Sequence, residues 1–201
     1  MTRRLSDYKT NRMLTRRAFL TGAGLAGSVW LGNLLLGEAR GRAPVLLRPP
    51  GALPEADFLA ACIRCGQCVQ ACPYNTLYLA QATEGVAIGT PYLIARQVPC
   101  YLCQGYAELR CITACPTAAL QPVAAWADIR MGTAVINRDR CLVWQGIPCR
   151  ACWHACPFPN EAIVLDERGR AIVVEEKCIG CGLCDHACLT EPSSIPITPR
   201  G

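Results

Sequence analysis

Apolar and polar positions along this chain fall into two regimes. From Ala18 to Gly37 no side chain is charged, a run of about 20 residues, near the length at which a segment spans a bilayer. Further on, apolar residues gather in short runs broken by turn-forming and polar positions. AIVL at 162–165 and AIVV at 171–174 predict two strands around a Glu-Arg-Gly-Arg turn. GTAV, at the head of 132–141, predicts a further strand, and SIPIT at 194–198 predicts one near the end. CVQACP (68–73) and CWHACP (152–157) each predict the start of a short helix, which the proline stops. The repeated unit is strand, cysteine-bearing loop, short helix and strand, an α+β build.

The long uncharged run is better read as an address than as part of the fold. Arg3, Arg4, Lys9 and Arg12 precede it, and TRRAFL at 15–20 leads directly into it. A paired arginine ahead of a moderately apolar, glycine-bearing run predicts a twin-arginine export signal over residues 1–39. That reading makes the twin-arginine translocase a partner and the periplasm the destination. Gly37-Glu38-Ala39 offers small residues for cleavage after Ala39; an uncleaved anchor at the inner membrane is the alternative. Residues 40–61 are expected to be a linker, and 62–201 the domain. The division also changes the charge. Residues 1–39 hold six Arg/Lys against two acids, and the remainder fourteen against thirteen. The body therefore lacks the basic face that nucleic-acid binding needs.

Composition changes the picture more. Sixteen of 201 residues are cysteine, near the level at which cysteine chemistry holds a structure together. They fall into four groups of four: Cys62, Cys65, Cys68 and Cys72; Cys100, Cys103, Cys111 and Cys115; Cys141, Cys149, Cys152 and Cys156; Cys178, Cys181, Cys184 and Cys188. The first and fourth groups read C-x2-C-x2-C-x3-C. The second widens its middle gap to seven residues and the third its first gap to seven. Three groups end in Cys-Pro and the fourth in Cys188-Leu189. The regular run is the ligand pattern of bacterial ferredoxins, so the sixteen thiols predict four 4Fe–4S clusters in a ferredoxin-like fold of two fused dicluster modules.

The spacing has a chemical reason. A cubane offers four iron corners, and three sulfurs at i, i+3 and i+6 of a tight loop reach three of them. Backbone N–H groups of the loop then point toward the sulfides, and Gly66, Gly180 and Gly182 let the backbone come close. The fourth corner lies beyond reach of the next cysteine in line. In two-cluster ferredoxins that cysteine ligates the other cluster. Matching the two regular groups, and the two stretched ones, gives a definite expectation. Cys188 completes Cys62, Cys65 and Cys68, while Cys72 completes Cys178, Cys181 and Cys184. Cys156 completes Cys100, Cys103 and Cys111, while Cys115 completes Cys141, Cys149 and Cys152. Pairing of groups in sequence order, first with second, is the alternative.

Other chemistry was weighed. Zinc sites need pairs of C-x2-C and do not ask for this longer run. Cysteines this close within one loop are poorly placed for disulfides. His154 and His186 each precede an Ala-Cys that closes a group, and read as loop residues near a cluster, since sixteen thiols already satisfy four cubanes. Trp126, Trp144 and Trp153 read as packing. Arg64 and Arg150 lie inside ligand loops, either hydrogen-bonding near sulfur or facing solvent. No Ser/His/Asp arrangement, nucleotide-binding glycine fingerprint or distinctive carboxylate pair is present, so the chain reads as an electron carrier without a substrate site. Each cluster with its thiolates is formally about 2− when oxidised. The loaded protein is then acidic, and a partner with a basic docking face is expected.

LLRPPGALPEADFLAACIRCGQCVQACPYNTL, then GTPYLIARQVPC, RMGTAV and the third group's wide first gap, resemble the MauM/NapG family of ferredoxin-type proteins. The second group's wide middle gap departs from that family's pattern. The resemblance implies an exported four-cluster protein serving periplasmic nitrate reduction or methylamine utilisation. It implies a membrane quinol-oxidising ferredoxin-type partner on one side and a periplasmic cytochrome or reductase on the other, as part of a quinol dehydrogenase system. The alternative is an electron-transfer subunit of a molybdopterin oxidoreductase complex.

Overall fold

Short strands pair locally, and their pairing organises the chain. The computed structural model describes Val45–Arg200, all within one compact unit spanning Ala43–Gly201. The expected export signal, 1–39, lies outside the described residues. Among the described residues no helix is long and apolar enough to cross a membrane.

β1 (Leu77–Leu79) pairs antiparallel with β2 (Pro91–Leu93), Leu77 facing Leu93. β3 (Gly132–Ala134) pairs antiparallel with β6 (Ile197–Pro199), and β4 (Ile163–Leu165) with β5 (Ala171–Val173). The β4–β5 turn follows from its residues: Asp166 accepts the amides of Arg168 and Arg170 at 2.9 and 2.8 Å and the Arg170 side chain at 2.7 Å. Asp and Gly in such a turn supply the local hydrogen bonds and the positive φ it needs. The strand expected at SIPIT begins three residues into its motif, at Ile197; before it the amides of Val135 and Asn137 donate to the carbonyls of Pro196 and Ser194 by single backbone bonds.

Among the described residues five short helices precede or separate the strands: α1 (Glu55–Ala61), α2 (Gln67–Ala71), α3 (Arg110–Thr113), α4 (Ala151–Ala155) and α5 (Leu183–His186). Helices of one or two turns are not stable alone in water; these are fixed by the loops around them. α2 and α4 end in extended backbone at Cys72 and Cys156, where the following proline disfavours a further helical residue.

The pairing divides the cysteine groups two and two. Before the first group, Ala52 bridges Leu120, which follows the second group. β1 leaves the first group and pairs with β2, which leads toward the second. In the same way β3, before the third group, pairs with β6, after the fourth, while β4 and β5 join the two internally. α2 packs against α3, and α4 against α5. Each half therefore closes upon itself in sequence order.

The segment expected to be a linker is instead part of the folded body from Val45 onward. Phe58 of α1 is fully buried, with the Arg48 guanidinium 4.8 Å from its ring centroid. Arg48 bonds both oxygens of Glu55, and also Thr90 and Pro91 at 2.8 and 2.9 Å. A large aromatic under a satisfied cation gives this stretch a packing role that its proline-rich sequence concealed. Around Phe58 the main core gathers Leu102, Ile129 and Met131 with Cys68, Cys103, Cys111 and Cys181; a smaller one joins Ile163 and Ile195 to Cys178 and Cys184. Thiols are thus part of the core itself.

Candidate metal centres

All sixteen cysteines are free of disulfides, and they converge in fours. Cys100, Cys103, Cys111 and Cys72 line one cavity. Cys141, Cys149, Cys152 and Cys188 line another. Cys178, Cys181, Cys184 and Cys156 line a third. Each encloses roughly 310–340 Å³ of empty space, including its mouth, and is otherwise walled largely by apolar residues. The remaining four thiols also adjoin, since Cys68 is acted on by the charges of Cys62, Cys65 and Cys115.

These sets overturn the expected matching of groups. Cys72 joins the second group rather than the fourth, and Cys188 joins the third rather than the first. Cys115 turns to the first group and Cys156 to the fourth. Likeness of spacing does not select the partner; strand pairing does. A loop tethered to its neighbour through a β1–β2 or β4–β5 hairpin closes at less entropic cost than one that must find a group across the chain. The third group's extra residues form the Leu142–Gln145 turn, and those of the second include Leu109, which is buried and lines the second cavity.

The environment of the thiols tests what they can hold. Burial pushes Cys68 and Cys152 up to about 11, and Cys100 and Cys181 up to about 12. Cys111 and Cys184 are also pushed well above the ordinary thiol range, again by burial first and then by neighbouring thiolates. Bare thiolates crowded in an apolar cavity are unfavourable; thiolates bound to cationic iron are not. Among the described residues no three Cys, His, Asp or Glu side chains converge closely enough for a single metal ion. The thiols surround spaces, which fits a multi-iron cluster better than zinc. Backbone amides reach sulfur as well, Arg110 N to Cys103 Sγ at 3.3 Å and Ala134 N to Cys178 Sγ at 3.4 Å.

Glycine permits the closest approaches. Gly180, at φ +75°, lies so close to β3 that a Cβ would stand 2.2 Å from the Gly132 nitrogen. A Cβ on Gly182 would stand 2.4 Å from that of Ala95 in the other half. Gly66 meets only Leu79 at 3.9 Å, so there the requirement is the left-handed backbone alone.

The four sets adjoin in a definite order. Cys111 of the second set is acted on by Cys68 of the first. Cys100 of the second is acted on by Cys181 of the fourth, and its amide donates to the Cys181 carbonyl at 2.8 Å. Cys184 of the fourth is acted on by Cys152 of the third. The row runs first, second, fourth, third, with the junction between halves at Cys100 and Cys181. Cys65 of the first set is exposed, whereas Cys178, Cys181 and Cys184 are buried.

Arg96 fastens that junction and was not singled out from the sequence. Its guanidinium donates to the carbonyls of Asp185, Cys188 and Thr190 at 2.6, 2.9 and 3.1 Å, and to the Glu191 carboxylate at 2.8 Å. His186 Nδ1 lies 3.0 Å from the Arg96 carbonyl, so this histidine serves the junction. A lone arginine in IARQVPC carries no local signal of such a role. His154 stacks edge-on with Trp153. The guanidinium groups of Arg138 and Arg170 each lie 4.3 Å from the Trp144 ring centroid. Arg64 is exposed and bonds the Val86 carbonyl at 3.2 Å, and Arg150 is exposed; the solvent-facing reading of both is the one observed.

Comparison with known proteins agrees with this chemistry. A family model described as a 4Fe-4S dicluster domain matches residues 61–119, the first half's two groups together. A 4Fe-4S binding domain matches 175–191. The methylamine utilization ferredoxin-type protein MauM of Methylorubrum extorquens is 44% identical over 89% of this chain and 81% of its own length. The ferredoxin-type protein NapG of Escherichia coli is 39% identical over 99% of this chain and 90% of its own. The ferredoxin-type protein NapF of the same organism is 31% identical over 71% of this chain. No solved structure matches the chain.

Proposed function

The chain belongs to the family of MauM and NapG ferredoxin-type proteins and is an iron–sulfur electron-transfer protein of that type; on that premise, we propose that it is an exported relay with four 4Fe–4S clusters. Its two halves are dicluster ferredoxin-like modules. Electrons come from a membrane quinol-oxidising ferredoxin-type partner and leave to a periplasmic cytochrome or reductase. The twin-arginine sequence at Arg16-Arg17 supports export of the folded, loaded protein into the periplasm.

The observation that carries this reading is the exchange of the fourth thiol. In each half, three sulfurs of one loop meet the last cysteine of the neighbouring loop, the ligation rule of two-cluster ferredoxins. Each cluster, once bound, takes up and gives up single electrons. The protein supplies the rest: Cys62, Cys65, Cys68 and Cys115 hold the first, Cys100, Cys103, Cys111 and Cys72 the second. Cys141, Cys149, Cys152 and Cys188 hold the third, and Cys178, Cys181, Cys184 and Cys156 the fourth. Apolar walls keep water from the inner sites, and the Cys100–Cys181 contact keeps the two inner sites close.

Iron and acid-labile sulfide measured on purified protein test the reading. Four cubanes require about sixteen irons per chain, and two zincs in their place would overturn it. For the relay, the loaded protein is mixed with quinol-reduced membranes and then with periplasmic cytochrome. Reduction by the first and oxidation by the second is expected; failure of both steps would sink the relay while leaving the cluster assignment standing.

A further inference from the structure

The four crossing cysteines are chemically alike but do not sit in like surroundings. The residue two positions beyond each is Tyr74, Thr117, Phe158 and Thr190 in turn. Cys188 has two hydroxyls against its sulfur, Thr190 Oγ1 at 3.2 Å and Ser194 Oγ at 3.3 Å, and the Ser194 amide donates to it at 3.4 Å. Cys115 comes nearest to this, with the Thr117 hydroxyl at 3.9 Å and backbone amides nearby. At Cys72 and Cys156, Tyr74 and Phe158 take that place; Thr76 shares the second cavity with Cys72 but donates its hydroxyl to the Pro99 carbonyl at 3.0 Å. A cluster-bound sulfur carries no proton, so both hydroxyls at Cys188 must act as donors.

The cradle is built and held. Ser194 is buried, and its carbonyl accepts the Asn137 amide at 2.8 Å beside the β3–β6 ladder. Arg140 fixes the Ser193 carbonyl at 3.1 Å. Arg96 holds the carbonyls of Cys188 and Thr190 from the other half, bringing a cation against the same loop. Donors on a ligating sulfur and a nearby positive charge both stabilise the more negative, reduced form of a cluster and raise its potential.

We infer that Thr190 and Ser194 tune the third site to the highest reduction potential of the four, which makes it the delivery end of the row. This rests on the relay reading for its direction. In the row first, second, fourth, third, the electron then settles at the end farthest from the exposed Cys65, and the acceptor docks beside Cys149 and Leu189. Leu189 is 71% exposed, in the place where the other three groups carry proline.

The test is an EPR-monitored redox titration of the loaded full chain and of Thr190→Val, Ser194→Ala and the double variant. One reduction step, the highest, is expected to move to lower potential in each single variant and further in the double, with the other steps unmoved. Thr190→Ser, which keeps the hydroxyl, should restore the original value, and Thr117→Val should move its own step less. Potentials that stay in place in the Thr190 and Ser194 variants, or movement in those variants of any step other than the highest, overturn the inference. If the double variant loses iron, the single variants still give the reading. The titration needs no partner, so its result is separate from whether quinol-reduced membranes donate to the protein.

Discussion

At the scale of single residues, the junction depends on a side chain whose chemistry cannot be replaced by charge alone. Arg96 spreads its donors over carbonyls and a carboxylate that no ammonium group reaches together. Its side chain is 32% exposed, so solvent screening tempers the salt bridge to Glu191, and most of the effect lies in the carbonyl bonds. Arg96→Ala should destabilise the loaded protein by about 2 kcal/mol, seen as earlier bleaching of cluster absorbance in a denaturant titration, with Arg96→Lys recovering only part. An unchanged midpoint for both variants would mean that the halves are held elsewhere. The cysteine ligands were legible in the sequence because their spacing is a chemical requirement. Arg96 was not, because its partners are backbone carbonyls some 90 positions away, and a carbonyl has no sequence signature.

At the scale of elements, the short strands were legible where apolar runs flank an obvious turn, as around Asp166 and Gly169. The role of α1 was not, since LLRPPGALPEADF reads as a proline-rich spacer until Phe58 is seen beneath Arg48. Phe58→Ala should cost roughly 3–5 kcal/mol, the usual range for emptying a buried aromatic site, and chemical denaturation of the loaded protein measures it. The tight loops give a sharper contrast. Gly180→Ala forces a Cβ into the β3 backbone, 2.2 Å from Gly132 N, and should cost the fourth site its cluster, read as about four irons lost per chain. Gly66→Ala meets only an ordinary contact with Leu79 at 3.9 Å and should cost only about 1 kcal/mol of backbone strain, with the iron count intact. Equal iron in both variants would show that the close approach at Gly180 is dispensable.

At the scale of the whole molecule, the four groups of four thiols were legible in the sequence but not which loops share a site, because loop spacing is silent about tertiary neighbours while strand pairing decides them. Replacing a crossing cysteine therefore discriminates directly. Cys72→Ser should alter the spectroscopic signature of the second site and leave the fourth unchanged, and Cys188→Ser should alter the third and leave the first unchanged. The opposite pattern would restore the matching of regular with regular groups. Loading should also reverse the charge: four clusters at about 2− each outweigh the near-balanced body, so the loaded form should focus at a markedly lower pH than the metal-free chain. The in-order closure of the halves has a further consequence for biogenesis. Because Ala52 bridges Leu120 and all eight thiols of the first half lie between them in sequence, that half has every ligand it needs while the second is still on the ribosome. Had Cys188 belonged to the first site, that site would wait, one corner open, for the second half to be translated. As it is, the first half can mature before the second.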